Sequence, residues 1–423
     1  MSRSPPTARV LNAVRGQGAP ISKAEIVSLT ELSLATVTEH VEILCASGLL
    51  LSQDLGASSG GRKPKLYGFN PEAGCIVAID LESTHVNVAL TDFGLRILHE
   101  ASSDEIDVTS GPEATLLHIK DLVTEVLKVA GVKPALVKGL GMGVPGPVSF
   151  KQALPSSLSL MPGWDSYPVR DFWRAHFTCP SFIDNNVYTM ALGERALDPA
   201  AAPMDMIFVK IGNGIGAGIV CDGEIYRGAT EHAGEIGHTN IGHDTLCYCG
   251  NRGCLEAIAG GRAIARHAEE HARAGRSERL AGVLTNKGSL RLRDVIKAAQ
   301  ESDPIAVALI RESGNAVGRV LAGLVNFFNP SHIVVGGGVA QTGDVLLAAI
   351  RQAVYQYSLP LSTRTLTIKQ SSVGSRVGVF GAAILALDRA LKPDRGPLQS
   401  VPQFPESDKI AVKAPRRAGG RHG

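Results

Sequence analysis

One histidine and three cysteines stand close enough along the chain to share a metal ion: His238, Cys247, Cys249 and Cys254. Three thiolates and one imidazole make a complete tetrahedral set for Zn2+, with no position left over for water or substrate. The chemistry expected of such a set is structural. A Cys-x-Cys pair fits a tight loop, and Gly250 and Gly253 give that loop its backbone freedom. Cys45, Cys75, Cys179 and Cys221 fall in apolar stretches and read as core thiols. Seven cysteines, odd in number and sparse, argue against a disulfide framework and for a reducing, cytoplasmic setting.

A second group of residues suits contact with nucleic acid. Ser33 is placed to cap a helix whose Val37, Val41 and Leu44 form one apolar stripe, and Gly48 is placed to end it. The outward positions of that helix are Ala35, Thr36, Thr38, Glu39 and His40. Set in a major groove with Ser33 at its entry, it would offer threonine hydroxyls to phosphates and Glu39 to a cytosine amino group. Arg62, Lys63 and Lys65 lie in the run Gly60-Gly61-Arg62-Lys63-Pro64-Lys65, a basic tip that can follow phosphates or enter a minor groove.

The elements needed to hold these residues are legible nearby. Ala8–Arg15 has helical apolar spacing, and Ser22 with Glu25 is a capping-box signature for a second helix. Thr30-Glu31-Leu32 makes the turn into the Ser33 helix. Leu49–Leu51 and Leu66–Phe69 read as two strands around a Gly-rich loop. Residues 1–70 are thus predicted to form a winged helix-turn-helix, a DNA-binding domain. One such unit contacts too few phosphates for tight binding, so a homodimer or tetramer on a two-fold operator is expected.

From Cys75 the pattern turns to strands alternating with longer helices. Strands are predicted at Cys75–Leu81, Val86–Asp92, Leu95–His99, Val137–Val144, Phe182–Asp184, Met204–Ile211, Ala217–Cys221, His332–Val335 and Leu366–Gln370. Helices are predicted at Pro112–Ala130, Val187–Leu197, Asp303 to about Asn326, Val345–Tyr357 and Val379–Leu391. The fold class is α/β, with two lobes around a cleft. Residues 393–423, rich in Pro, Gly and Arg, are expected to be a disordered basic tail.

Composition narrows the partners. The net charge of +2 in 423 residues excludes a globally basic binder, though residues 1–70 carry +2 and the tail +3 against an acidic middle. No run approaches the ~18 apolar residues of a membrane span, and none of the start resembles a signal peptide.

Residues 228–260, GATEHAGEIGHTNIGHDTLCYCGNRGCLEAIAG, closely resemble the signature of the ROK family of repressors, open reading frames and kinases. GMGVPGPV (141–148), Pro162-Gly163-Trp164, NNVYTMALGE (185–194), VKIGNGIGAGIVCDGEIYRG (209–228) and NPSHIVVGGG (329–338) follow in family order. The resemblance covers roughly residues 72–391. It implies a two-lobed, actin-like (RNase H-like) ROK domain with a sugar site in the cleft, and a winged helix-turn-helix ahead of it as in the sugar-responsive members.

Carried onto this chain, the resemblance assigns sugar contacts to Asn185, Asn186, Glu235, His238 and Glu256, with His238 serving zinc and sugar through one ring nitrogen each. Two departures bear on catalysis. The family's Asp-x-Gly-Gly-Thr phosphate loop is here Asp80-Leu81-Glu82-Ser83-Thr84, and the catalytic Asp of its Asn-Asp pair is here Asn186. An amide can bond a hydroxyl but cannot take its proton. Leu160 also replaces an Asn that many sugar-binding members carry. The expectation is a non-enzymatic transcriptional regulator of carbohydrate-related genes, binding double-stranded DNA and a sugar or sugar-phosphate effector. The alternative is an ATP-dependent hexose or N-acetylhexosamine kinase.

Overall fold

The computed structural model describes residues 5–54, 65–156, 161–196 and 202–391. Arg62, Lys63, Leu160 and the tail 393–423 lie outside the described residues.

The first elements are α1 (Pro6–Gly16), β1 (Ile21–Ser22), α2 (Lys23–Thr30), α3 (Leu34–Ala46), β2 (Leu50–Asp54) and β3 (Lys65–Phe69). The local signals act as expected. Ser22 and Glu25 close a full capping box on α2, and Ser33 accepts from the Thr36 N–H to cap α3. Gly48, at φ +74°, lets the Gly48 and Leu49 N–H groups turn back onto the Cys45 and Leu44 carbonyls, a Schellman ending. Glu31 holds the left-handed turn between α2 and α3 at φ +53°, a conformation that favours Gly. β1 extends the β2–β3 hairpin by pairing with β3; its two residues carry no strand signal of their own.

Lobe I contains β4 (Cys75–Leu81), β5 (Val86–Asp92), β6 (Ile97–Ser103), α4 (Pro112–Ala130), β7 (Val137–Val144), β8 (Val148–Ser149), β9 (Leu154–Pro155), α5 (Val169–His176), β10 (Ser181–Asn185) and α6 (Asn186–Ala196). Its sheet runs β10-β7-β4-β5-β6. β6 starts two residues later than the apolar pattern suggests. Leu95 sits in a left-handed turn, and Asp92 accepts from the Arg96 N–H there.

Lobe II holds β11 (Met206–Ile211), β12 (Ile215–Cys221), β13 (Glu224–Tyr226), α7 (Leu255–Ala259), α8 (Gly261–Arg273), α9 (Glu278–Lys287), α10 (Leu292–Gln300), α11 (Pro304–Phe328), β14 (His332–Gly336), α12 (Asp344–Tyr357), α13 (Pro360–Thr363) and β15 (Thr367–Gln370). Its sheet runs β13-β12-β11-β14-β15. Each sheet therefore has a three-strand antiparallel meander followed by two strands parallel to its first. That repeated topology is the two-lobed RNase H-like arrangement.

The last helix, α14 (Val377–Ala390), returns to lobe I and covers β4 and β7. It crosses α6 at backbone contact: a Cβ on Gly381 would lie 1.6 Å from the Thr189 carbonyl oxygen. Leu387 and Leu391 belong to the same apolar cluster as Val10, Leu11 and Val14, and Arg15 pairs with Asp388 at 2.6 Å. The N-terminal unit thus rides on lobe I, while α6 also packs against β11 and β12 of lobe II. Cys75 and Cys179 are buried as core thiols; Cys45 and Cys221 are half-buried. No helix among the described residues is long and apolar enough to cross a membrane.

Candidate functional site

The parallel strands β4, β7, β10 and β11 end at one place, and a cavity of about 870 Å3, open to solvent, begins there. This is where α/β sheets generally take ligands. Asn185, Asn186, Glu235 and Glu256 all line it, as four of the five expected sugar contacts.

Three of these side chains are half committed to the scaffold. The Asn185 Oδ1 accepts from the Val187 N–H at 2.8 Å, leaving its amide NH2 for a ligand. Asn186 does the reverse: its Nδ2 donates to the Leu81 carbonyl at 3.0 Å, leaving Oδ1 as acceptor. Glu256 accepts from the Ile215 N–H at 2.7 Å, an approach that requires Gly214, whose Cβ would lie 2.6 Å from the carboxylate. Burial and the neighbouring Glu256 carboxylate push Glu235 up to about 7. Asp184, adjacent in sequence, offers no base: it is fully buried and held by Arg227 through bonds of 2.8 and 2.6 Å. Its Oδ1 also accepts from the Asn185 N–H, so this pair sets the backbone from which the two amides project.

His238 departs from expectation. It does not line the cavity; its Nε2 faces the Tyr248 hydroxyl at 3.2 Å, and Tyr248 lines the cavity in its place. Tyr248 also bonds to Glu256, and burial beside that carboxylate raises its pKa. A tyrosine between two candidate metal-ligating cysteines carries no sequence motif of its own.

The other His238 nitrogen, Nδ1, lies 3.7 Å from the Cys247 Sγ, and the Cys249 and Cys254 sulfurs are also 3.7 Å apart. All four donor atoms fall within 4.8 Å of one another. A tetrahedron with ~2.3 Å metal–sulfur bonds has sulfur–sulfur edges of ~3.8 Å, so the donor set fits Zn2+. Cys247 and Cys254 are buried, and Gly253, at φ +75°, passes too close to His243 for any side chain.

The segment after β4, which also lines the cavity, reaches across to lobe II. Glu82 pairs with Lys210, and the Asn213 amide donates to Ser83 at 2.9 Å and Thr84 at 3.3 Å. Behind this contact Asp80 is fully buried. Desolvation, with the Glu82 carboxylate adding to it, pushes Asp80 up to about 7.

On α3, Ser33, Ala35 and Glu39 are exposed and Thr38 is half-buried. Ser33 and Thr36 share a hydroxyl–hydroxyl bond of 2.8 Å. His40, expected to face outward, turns to α1 and meets the Thr7 hydroxyl at 2.9 Å. Leu34, which the sequence reading did not select, is 60 % exposed in the first turn. Lys65 is exposed at the start of β3.

A cleft with amide and carboxylate ligands between RNase H-like lobes defines a sugar-kinase-type scaffold. Residues 76–389 match the sequence profile of the ROK family, and the chain belongs to that family. It is 31 % identical over 374 residues to the xylose repressor of Caldicellulosiruptor bescii, covering 88 % of this chain and 92 % of that protein. The crystal structure of a ROK family transcriptional regulator, a homolog of the Escherichia coli Mlc protein, matches with a TM-score of 0.75 and 25 % identity. It covers 93 % of this chain and 98 % of its own. A ROK family glucokinase from Streptomyces griseus, in complex with glucose and AMPPNP, matches with a TM-score of 0.65 and 28 % identity, covering 74 % of this chain and 99 % of its own.

Proposed function

We infer that this protein is a sugar-responsive, DNA-binding transcriptional regulator without kinase activity. The observation that supports this reading is the docking of the N-terminal helix-and-strand unit on α14, beside a cleft lined by amide and carboxylate groups with Asn186 where the reaction needs a base. The repressor and regulator relatives extend over the N-terminal unit, whereas the glucokinase covers 74 % of the chain.

In this reading residues 1–70 bind operator DNA. Ser33, Thr36, Thr38 and Glu39 act from α3, and Arg62, Lys63 and Lys65 act from the wing. Residues 72–391 form the sensor, with Asn185, Asn186, Glu235, Glu256 and Tyr248 around a sugar. Zn2+ held by His238, Cys247, Cys249 and Cys254 supplies a rigid anchor for the loop that carries Tyr248. A dimer or tetramer in the cytoplasm places two recognition helices on one operator. Sugar between the lobes changes their angle, and because the winged unit rides on lobe I, that angle changes the spacing of the two DNA-binding units.

The test is to recover DNA bound by the protein in cells, then measure affinity for those fragments across a panel of neutral sugars. Operator affinity that shifts with one sugar supports the reading; equal affinity across the panel removes its sensing half. Likeness to a glucokinase supports the competing reading of an ATP-dependent sugar kinase. That reading requires sugar-dependent ADP release by the unmodified chain.

A further inference from the structure

The cleft has one wall that could receive a phosphate, and the protein fills it with its own side chains. Lys210 on β11 is 7 % exposed, and its ammonium is neutralised across the cleft by Glu82 of lobe I. Asn213, the neighbouring donor from lobe II, gives its amide hydrogens to Ser83 and Thr84. Arg262, exposed at the margin, is the other cation among the lining residues, against the carboxylates of Glu82, Glu235 and Glu256.

This wall is continuous with the sugar-binding groups. Asn186 donates to the carbonyl of Leu81, immediately before Glu82, and Val108, which also lines the cavity, donates its N–H to the Ser83 carbonyl at 3.3 Å. Residues 82–84 thus adjoin the strand end that carries Asn186, and a phosphate that a sugar on Asn186 carries to this wall meets Glu82. To enter, that phosphate has to take Lys210 from Glu82 and leave the carboxylate unpaired within a mostly buried site, a costly exchange. An uncharged hydroxyl requires no such exchange.

We propose that Glu82 is a specificity-determining residue: by holding Lys210 across the cleft, it makes the pocket select uncharged sugars over phosphorylated ones. The proposal rests on the reading of the cleft as a sugar site and says which chemical class that site accepts. Glu82 acts by removing a cation from use and by placing a negative charge where a phosphate would lie.

The experiment is isothermal titration of the full chain and its Glu82→Gln variant with xylose, glucose, glucose 6-phosphate and inorganic pyrophosphate. The unmodified protein is expected to bind glucose or xylose at least ~10-fold more tightly than glucose 6-phosphate, which is about 1.4 kcal/mol. Glu82→Gln should raise pyrophosphate affinity at least ~10-fold and move the glucose 6-phosphate to glucose ratio the same way. Adding Lys210→Met to Glu82→Gln should abolish that gain. Thermal unfolding confirms that each variant folds, and Glu82→Gly carries the same expectation if Glu82→Gln does not fold.

The pyrophosphate arm separates the two claims. If no sugar binds but Glu82→Gln still gains pyrophosphate, the sugar reading fails while the charge lock stands. If pyrophosphate affinity is unchanged by Glu82→Gln, or the unmodified chain binds glucose 6-phosphate as tightly as glucose, the proposal is overturned.

Discussion

Two sides of the same cleft have been treated in opposite ways. At one wall, Asn185, Asn186, Glu235, Glu256 and Tyr248 line an open cavity, and Asn185, Asn186 and Glu256 are anchored to the scaffold by bonds that leave further polar capacity toward a ligand. At the wall after β4, Glu82, Ser83 and Thr84 satisfy the polar groups of lobe II directly. One side keeps the means of recognition. The other has spent its means of phosphate handling on contacts between the lobes. In the proposed reading, a kinase scaffold loses its chemistry at residues 82–84 and at Asn186 and retains binding.

The predictions that sharpen this contrast begin where the effect is largest, at the proposed metal anchor behind the open side. Cys254→Ser should abolish stoichiometric zinc, measured by elemental analysis, and lower the unfolding free energy by several kcal/mol, consistent with the ~10 kcal/mol or more that structural zinc contributes in small peptides. Retention of full stability without zinc would leave the open wall unsupported by metal.

Next is the buried pair beneath the two amides. Arg227→Ala strands Asp184, which is 0 % exposed, and should cost about 3–5 kcal/mol in urea unfolding. The guanidinium also sits 3.8 Å from the Phe150 ring centre, so the loss includes that contact.

The closed side should show itself in pH dependence. Asp80 is raised from 3.8 to about 7 in the folded state, so between those values the native protein holds a proton that the unfolded chain has released. Stability therefore falls as pH rises from about 4 to about 7. The contribution of this group is on the order of 4 kcal/mol across the window. Asp80→Asn should flatten the profile of Tm against pH; an unchanged slope would show that Asp80 does not carry it.

The smallest effect belongs to the DNA-binding unit. Lys65→Ala should weaken operator binding a few-fold, equally for all sequences, and reduce the salt slope by about 1. Sequence-dependent weakening would assign Lys65 to a base instead.

Much of the fold and of the site is legible in the sequence. The capping box at Ser22, the Ser33 cap and the Gly48 ending are local devices, and α4 and β7 have the bounds their apolar patterns suggest. The His-Cys spacing locates the candidate metal-ligand cluster, and the family resemblance that singles out Asn185 and Asn186 locates part of the cavity wall. What escaped was long-range. The Lys210–Glu82 pair joins residues 128 positions apart, and the docking of α14 against α1 joins residues 373 apart. His40 was read from helical spacing as outward, but α1 packs against that flank and offers Thr7. The contact of the His238 Nε2 with the Tyr248 hydroxyl is likewise a matter of loop folding that spacing does not give.

The measurement closest to the central claim is operator affinity with and without a neutral sugar, for the unmodified protein and for Glu235→Gln. The account predicts that sugar shifts operator affinity of the unmodified protein at least ~5-fold, the low end of allosteric coupling. In Glu235→Gln the sugar concentration needed should rise at least ~10-fold, equivalent to about 1.4 kcal/mol. Operator binding indifferent to every sugar tested, together with sugar-dependent ADP release, would contradict it.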